Sequence, residues 1–365
     1  MRIFFAGGGT GGHLYPGLAI ARALVKARAD ATPFFIGAQR GVEKEVLPNT
    51  EFPFVLLDLH PLYRTRIWRS WKTVAGGIKS WRAIARLSRT DPARAIVGTG
   101  GYASVMALAY GAARGIPLVL QEQNSYPGIA TRVFSRYARQ IHLGFPEARE
   151  YLKPRADALV VDSGNPIQPP PQFRPDPAAA RAEWGFPPNA RVLLAFGGSQ
   201  GAVAINEVIA AWLRKGIARD VHVIWATGKG SFESYSALES ARVRVRDYIA
   251  PMESAYAAAD LALARAGAMS TAELAAWGVP MILVPLPTAA ADHQTTNARA
   301  LEGAGAATVI LQRDFTAERL EAEVQGIFGT PGRVERMSAS VLARSRPRAA
   351  DEIAAHILKL VEHAR

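Results

Sequence analysis

The residues best suited to chemistry in this chain lie in and beside glycine-rich loops. The first loop is Gly7-Gly8-Gly9-Thr10-Gly11-Gly12-His13. Glycines let a backbone turn tightly and approach a ligand closely. The helical pattern that follows offers free N–H groups and a partial positive charge, which suit a phosphate or a developing anion. Gly7-x-Gly9-x-x-Gly12 formally matches the dinucleotide fingerprint. That fingerprint also expects an acid about 20 positions on, at the end of the second strand. Here that stretch reads Ile36-Gly37-Ala38-Gln39-Arg40 and Asp30 precedes it, so a nicotinamide dinucleotide is disfavoured. His13 closes the loop. A lone histidine is often only a structural hydrogen-bonder, but at a helix N-terminus the dipole disfavours the protonated form and keeps the ring a usable base.

Five further segments carry polar groups past apolar runs. Gly98-Thr99-Gly100-Gly101-Tyr102 and Gln121-Glu122-Gln123-Asn124 follow strand-like stretches, where a parallel sheet presents its ligand crevice. Glu122 is a fallback base for His13, or an ordinary surface acid. In the second half, Gly197-Gly198-Ser199-Gln200-Gly201 repeats the first device, and Ser199 with backbone N–H groups suits a diphosphate. No Gly-Lys-Ser/Thr follows, so it is not a Walker loop. Gly267-Ala268-Met269-Ser270-Thr271-Ala272-Glu273 and Asp292-His293-Gln294-Thr295-Thr296-Asn297 supply partners for sugar hydroxyls. The Glu273 carboxylate can accept two ribose hydroxyls, or be a first-turn helix acid meeting the dipole. No Asp-x-Asp pair and no cysteine occur. We therefore expect no metal and no cofactor, with loop amides and helix N-termini stabilising any leaving diphosphate.

Two α/β halves must position these groups. Expected strands cover 3–6, 34–37, 54–57, 95–98, 118–120 and 141–143, with helical patterns between them, as in Leu14, Leu18, Ala21 and Val25. This alternation predicts a parallel sheet covered on both faces. The run Asn165-Pro166 to Pro177, with Pro169-Pro170-Pro171 inside it, reads as a linker or surface loop. The alternation restarts with strands expected at 192–196, 221–225, 243–245, 261–264, 281–284 and 308–311, and 349–362 reads as helix. At 365 residues, 49% of them hydrophobic and 20% charged, the chain is long enough for two packed cores.

The formal net charge is +12, with a sequence pI near 10.1. That excess implies an anionic partner (nucleic acid, acidic membrane or phosphorylated substrate) unless it reflects a basic, Arg-rich proteome. One segment concentrates it. Tyr63-Arg64-Thr65-Arg66-Ile67-Trp68-Arg69-Ser70-Trp71-Lys72 leads to Ile78-Lys79-Ser80-Trp81-Arg82, with no acid between positions 63 and 90. Tryptophans among cations suit a membrane interface, here through Trp68, Trp71, Lys72, Lys79 and Trp81. The same composition suits nucleic acid, or a solvated basic face whose tryptophans pack inward. No run of eighteen apolar residues occurs and the N-terminal apolar stretch is too short for a signal peptide, so any membrane contact is expected to be peripheral.

Taken in order, Gly8-Gly9-Thr10-Gly11-Gly12-His13, Glu122-Gln123-Asn124, the 197–201 loop and the 292–297 segment resemble the MurG family of bacterial N-acetylglucosaminyltransferases. The resemblance covers positions 7–303. It implies a GT-B fold, two Rossmann-like parallel-sheet domains facing across a cleft. The acceptor and membrane domain would span 1–163, with a final helix near 345–365 packing back on it, and the donor domain 164–344. It implies inverting transfer of GlcNAc from UDP-GlcNAc to the MurNAc 4-hydroxyl of an undecaprenyl-diphosphate-linked acceptor (lipid I to lipid II). The place implied is the cytoplasmic face of the inner membrane, held peripherally on an anionic surface, with cell-wall synthesis and division proteins as partners and no nucleic acid.

Matched residue by residue, Thr10, Gly11 and Gly12 would approach the donor, Asn124 the GlcNAc and Ser199 the phosphate. Ile249 would lie against uracil, Ala268, Met269, Ser270, Thr271, Ala272 and Glu273 would hold sugar and ribose, and Gln294 would meet GlcNAc hydroxyls. Gly100, Gly101 and Tyr102 would serve the acceptor diphosphate, with His13 and Glu122 catalytic. One departure is Gln168, where many members carry arginine. Another is the 292–297 segment, whose length varies across the family, leaving His293 or Gln294 on the sugar. Competing readings are another GT-B UDP-sugar enzyme such as a UDP-GlcNAc 2-epimerase, a nicotinamide-dependent oxidoreductase, and a basic nucleic-acid-binding protein.

Overall fold

The computed structural model describes residues 1–59, 70–198, 201–216 and 220–363, without the side chains of residues 70–75. The chain divides into two compact units, Met1–Ile167 with Arg348–Arg365, and Gln168–Pro347.

The first unit runs β1 (Arg2–Gly7), α1 (Gly11–Ala27), β2 (Thr32–Ala38), α2 (Glu43–Val46), β3 (Phe54–Leu57), α3 (Ser70–Thr90), β4 (Ala95–Gly100), α4 (Val105–Arg114), β5 (Leu118–Glu122), α5 (Ile129–Phe134), β6 (Ala138–Leu143) and β7 (Leu159–Val161). Its seven strands pair in parallel in the order β3-β2-β1-β4-β5-β6-β7. A strand covered on both faces reads as an unbroken apolar run, as Ile3-Phe4-Phe5-Ala6 does. Ile3 and Phe5 pack with Leu14, Leu18 and Leu24 of α1 on one face. Phe4 and Ala6 pack with Ile84 of α3 and Leu108 of α4 on the other. The last helix, α14 (Ala349–His363), returns to this unit and lays Ile353, Ala354 and Ile357 into the α1 face.

The unit ends four residues beyond the expected break at 163. Asn165 is 3% exposed, because its Nδ2 donates to the Gln123 carbonyl (3.0 Å) and its Oδ1 accepts from Gln121 Nε2 (3.2 Å). Strand β7 was not expected, since three residues at a sheet edge carry too little pattern.

The second unit runs α6 (Pro177–Glu183), β8 (Arg191–Phe196), α7 (Val203–Lys215), β9 (Val221–Ala226), α8 (Phe232–Tyr235), β10 (Val243–Arg246), α9 (Glu253–Ala258), β11 (Leu261–Ala264), α10 (Ala268–Trp277), β12 (Met281–Leu283), α11 (His293–Gly303), β13 (Ala307–Val309), α12 (Ala317–Gly329) and α13 (Arg333–Arg344). Its six strands are again parallel, in the order β10-β9-β8-β11-β12-β13. Leu193 and Ala195 pack with Ile205, Ile209 and Trp212 of α7 and with Leu320, Val324 and Ile327 of α12. The proline run does not stay a loop to its end. Pro177 occupies the first turn of α6, where its missing N–H costs nothing, and Asp176 caps that helix at Ala179 N (3.0 Å). In both sheets the chain reverses its direction of growth between the first strand and the fourth, β1 beside β4 and β8 beside β11. Ligands of open parallel sheets bind outside the carboxyl ends of the strands at such switch points.

Candidate active site

Loop one leaves β1 and loop two leaves β4, so neighbouring strands bring them together. Gly8 N donates to the Gly100 carbonyl (3.3 Å), and Thr99 Oγ1 donates to the His13 carbonyl (2.7 Å). Gly101 has φ +73°, and a Cβ there would stand 2.0 Å from Gly8 O and 3.2 Å from His13 Nδ1. No side chain fits, so this position demands glycine. The His13 ring thus lies half-buried against Gly100 and Gly101, and its Nδ1 is 3.1 Å from Thr10 Oγ1. Thr10 spends its hydroxyl on His13 and leaves the first turn of α1 without a side-chain cap. The amides of that turn, around Gly11 and Gly12, have no partner within the helix. Tyr102 faces Gly9, where a Cβ would come 2.8 Å from its ring.

Glu122 ends β5, 3% exposed. Its Oε1 accepts from Asn124 N (3.1 Å) and Asn124 Nδ2 (3.4 Å), and its Oε2 from Gly128 N (3.0 Å) and Thr131 Oγ1 (2.6 Å). Four donors fill the four lone-pair positions of a carboxylate. Glu122 is therefore neither a surface acid nor a free base. It fixes the turn that carries Asn124 and caps α5.

In the second unit, the Gly197–Gly201 loop leaves β8, and Ser199 and Gln200 lie outside the described residues. The neighbouring strand β11 leads into α10, with Ala268 buried and Met269, Ser270, Ala272 and Glu273 half-buried on its first turns. Thr271 is 2% exposed and its hydroxyl donates back to the carbonyls of Gly267 (3.1 Å) and Ala268 (3.2 Å), so it holds the turn. Glu273 Oε2 accepts from Tyr256 Oη of α9 (2.7 Å), and among the described residues Oε1 has no partner. Burial pushes the Glu273 carboxyl above its usual range, against the pull of the Tyr256 hydrogen bond. Burial beside this carboxylate raises the Tyr256 phenol in turn. Ile249 is buried after β10, and Gln168 is exposed at the start of the unit. Gln294 Oε1 accepts from Leu286 N (3.0 Å), pinning the loop before α11, while His293 Nδ1 is engaged by the Ala290 carbonyl (2.7 Å). Ala291 and Asp292 both hold left-handed backbone, φ +52° and +53°. Such strain in residues other than glycine gathers at ligand loops.

Sequence reasoning missed a half-buried charge and a buried one near these loops. Arg265, just past β11, donates to the carbonyls of Val284 (3.0 Å) and Pro285 (3.1 Å) and to Gln312 Oε1 (2.7 Å), and burial lowers its pKa. Glu43, the first residue of α2, is completely buried under loop one. The only available signal was an acid set close behind Gly37 and Gly41. The basic tryptophan segment is also redistributed. Trp68 lies outside the described residues, as do the side chains of Trp71 and Lys72. Trp81 is not an exposed anchor: it packs edge-on against Tyr110 (5.2 Å). Ile78, 52% exposed, and Lys79 take the outer face of α3. Among the described residues no helix is long and apolar enough to cross a membrane.

Comparison with known proteins agrees with this layout. The glycosyltransferase family 28 N-terminal domain matches residues 3–143, and the family's C-terminal domain matches residues 192–353. A UDP-N-acetylglucosamine--N-acetylmuramyl-(pentapeptide) pyrophosphoryl-undecaprenol N-acetylglucosamine transferase of Salinibacter ruber is 41% identical, covering 100% of this chain and 98% of its own. The Moorella thermoacetica protein of the same name is 36% identical, covering 99% of this chain and 100% of its own. The crystal structure of Acinetobacter baumannii MurG superposes with a TM-score of 0.77 at 26% identity, covering 98% of this chain and 99% of that one. The two parallel-sheet units are the Rossmann-like domains of a GT-B glycosyltransferase. Loops, topology and full-length identity converge, and the chain belongs to glycosyltransferase family 28 and, within it, to the MurG family of N-acetylglucosaminyltransferases.

Proposed function

We propose that the protein transfers GlcNAc from UDP-GlcNAc to the MurNAc 4-hydroxyl of an undecaprenyl-diphosphate-linked MurNAc-peptide, with inversion at C1. The substrates are those in the names of the full-length relatives. The observation that carries the chemistry is His13, held against loop two with Thr10 at its Nδ1. With Nδ1–H donating to Thr10 Oγ1, Nε2 keeps a lone pair for the acceptor hydroxyl. The hydroxyl oxygen bonds to C1, the proton passes to Nε2, and the bond from C1 to the β-phosphate oxygen breaks with its electron pair leaving on UDP. Charge on the leaving diphosphate meets amides of the Gly197–Gly201 loop, with Ser199, and the first turn of α10. The free Oε1 of Glu273 accepts from the ribose, and Ile249 packs against uracil.

The lipid-borne acceptor is met at a membrane surface, on the cytoplasmic face, through the outer face of α3. There Ile78, Lys79, Arg82, Arg86 and Arg89 are exposed with no acid among them.

Labelled UDP-GlcNAc offered with and without a lipid-diphosphate-MurNAc acceptor tests the reading. Label moving to the lipid only when acceptor is present supports it. Conversion of UDP-GlcNAc without acceptor would instead give the epimerase class.

A further inference from the structure

We propose that Glu43 is a positioning residue for this transfer: its buried carboxylate sets the form of the first glycine loop and so the place of His13. The proposal rests on the transferase reading for its catalytic consequence and on geometry alone for the loop. Glu43 is 0% exposed. Its Oε2 accepts from Gly9 N (2.9 Å) and its Oε1 from Ala38 N (3.1 Å). It therefore joins the loop after β1 to the end of β2. No cation pairs with it among the described residues. A buried carboxylate with only backbone donors is expensive, so its site must be built to hold it.

The site is built from glycine. A Cβ at Gly8 would stand 1.8 Å from Glu43 Oε1, one at Gly41 1.9 Å from Oε2, and one at Gly37 2.9 Å from the Glu43 Cβ. Three glycines, one in the first loop, one in β2 and one in the turn after β2, thus make room for one side chain. The dinucleotide fingerprint places an acid at this end of the second strand to meet a ribose. Here the acid comes a few residues later and turns under the loop instead.

Two consequences follow for the site. Gly9 has φ +90° and its N–H points at Glu43, so that amide is withdrawn from any ligand. The donors left for an anion are the first-turn amides of α1. Next along the chain is Thr10, whose hydroxyl meets His13 Nδ1, so freeing Gly9 loosens the base.

Two variants of the full-length protein test this. Glu43→Gln keeps the shape but sets an NH2 against one of the two N–H donors. Gly41→Ala keeps the carboxylate and pushes it out of its cradle. Both are expected to lower kcat by about 10- to 100-fold, the effect of an ångström-scale misplacement of a catalytic group. UDP affinity is expected to fall far less than kcat, because the uracil and ribose contacts proposed for Ile249 and Glu273 lie on the other unit. Hydrogen exchange should speed by about tenfold in the peptide covering residues 6–13 and not in the core strands. Unchanged kcat, unchanged loop exchange, or exchange rising equally throughout the sheet would each overturn the proposal. If the unaltered protein transfers no sugar, the transferase reading falls, and exchange alone then decides whether Glu43 holds the loop.

Discussion

A histidine acts as a base only if one nitrogen keeps its lone pair while the other is held, and the Thr10 Oγ1 contact at His13 Nδ1 (3.1 Å) would hold that nitrogen in the proposed mechanism. General base catalysis contributes about 10²–10⁴-fold. His13→Ala is expected to lower turnover by about that factor in single-turnover assays, with UDP affinity by calorimetry unchanged. Weakened UDP binding with turnover intact would make it a donor contact. Glu273 gives the complementary prediction. Removing the carboxylate in Glu273→Ala leaves ribose hydroxyls unpaired, a loss of about 1–3 kcal/mol in UDP binding. Because burial raises this carboxyl, protonation sets in at higher pH than for an ordinary glutamate. UDP affinity should therefore begin to fall above the usual carboxylate range as the solution is acidified, and the Glu273→Ala protein should lack that fall. Residue type and spacing made the glycine loops legible in the sequence and singled out His13 and Glu273 as candidates. The settings of Glu122 and Glu43 were not legible. Their donors, Gly128 and Thr131 in one case and Gly9 in the other, are brought to them by the fold.

Strands were read well because buried parallel strands are continuous apolar runs, and β3 and β11 fall where expected. Helices α2 and α5, of four and six residues, are too short to show a period. Helix α14 was legible as a helix, but the pairing it makes was not. His142 of β6 is 0% exposed, with Nδ1 2.8 Å from Ser163 Oγ, and it stacks on His356 of α14 at 5.5 Å. The carbonyl of His356 also accepts from Gln140 Nε2 (2.8 Å). Burial, and then the neighbouring His356, push the His142 pKa down to about 3. In the unfolded chain it returns to about 6.5. Between those values the unfolded state binds a proton that the folded state refuses, so stability falls with falling pH. The slope is at most about 1.4 kcal/mol per pH unit. His142→Gln is expected to flatten the dependence of Tm between pH 7 and pH 5. An equal decline in both proteins would assign the acid sensitivity elsewhere.

The acceptor's isoprenoid cannot leave a bilayer cheaply, since each CH2 exposed to water costs roughly 0.8 kcal/mol. On the proposed reading the enzyme comes to the headgroups, where a net charge of +12 would favour an anionic surface. From sequence the tryptophans were the expected anchors, because aromatic rings among cations read as interfacial. Trp81 is half-buried, resting on Tyr110 beside Met106, and among the described residues Ile78 is the exposed apolar side chain on that face. Lys79 and Arg82 lie near it and Arg86 and Arg89 follow along the same helix, each worth about 1 kcal/mol against anionic lipid. Binding to vesicles containing phosphatidylglycerol should weaken with salt and keep a salt-resistant apolar part. Ile78→Ser should reduce that part and the activity on membrane-borne acceptor, while a short-chain soluble acceptor is still used. Lys79→Ala with Arg82→Ala should reduce the salt-dependent part. Trp81→Ala should lower Tm and harm both acceptors equally, as a packed ring would. If Ile78→Ser leaves vesicle binding unchanged, the docking face lies elsewhere on the molecule. If the double variant loses affinity for RNA rather than for vesicles, the basic face serves nucleic acid instead.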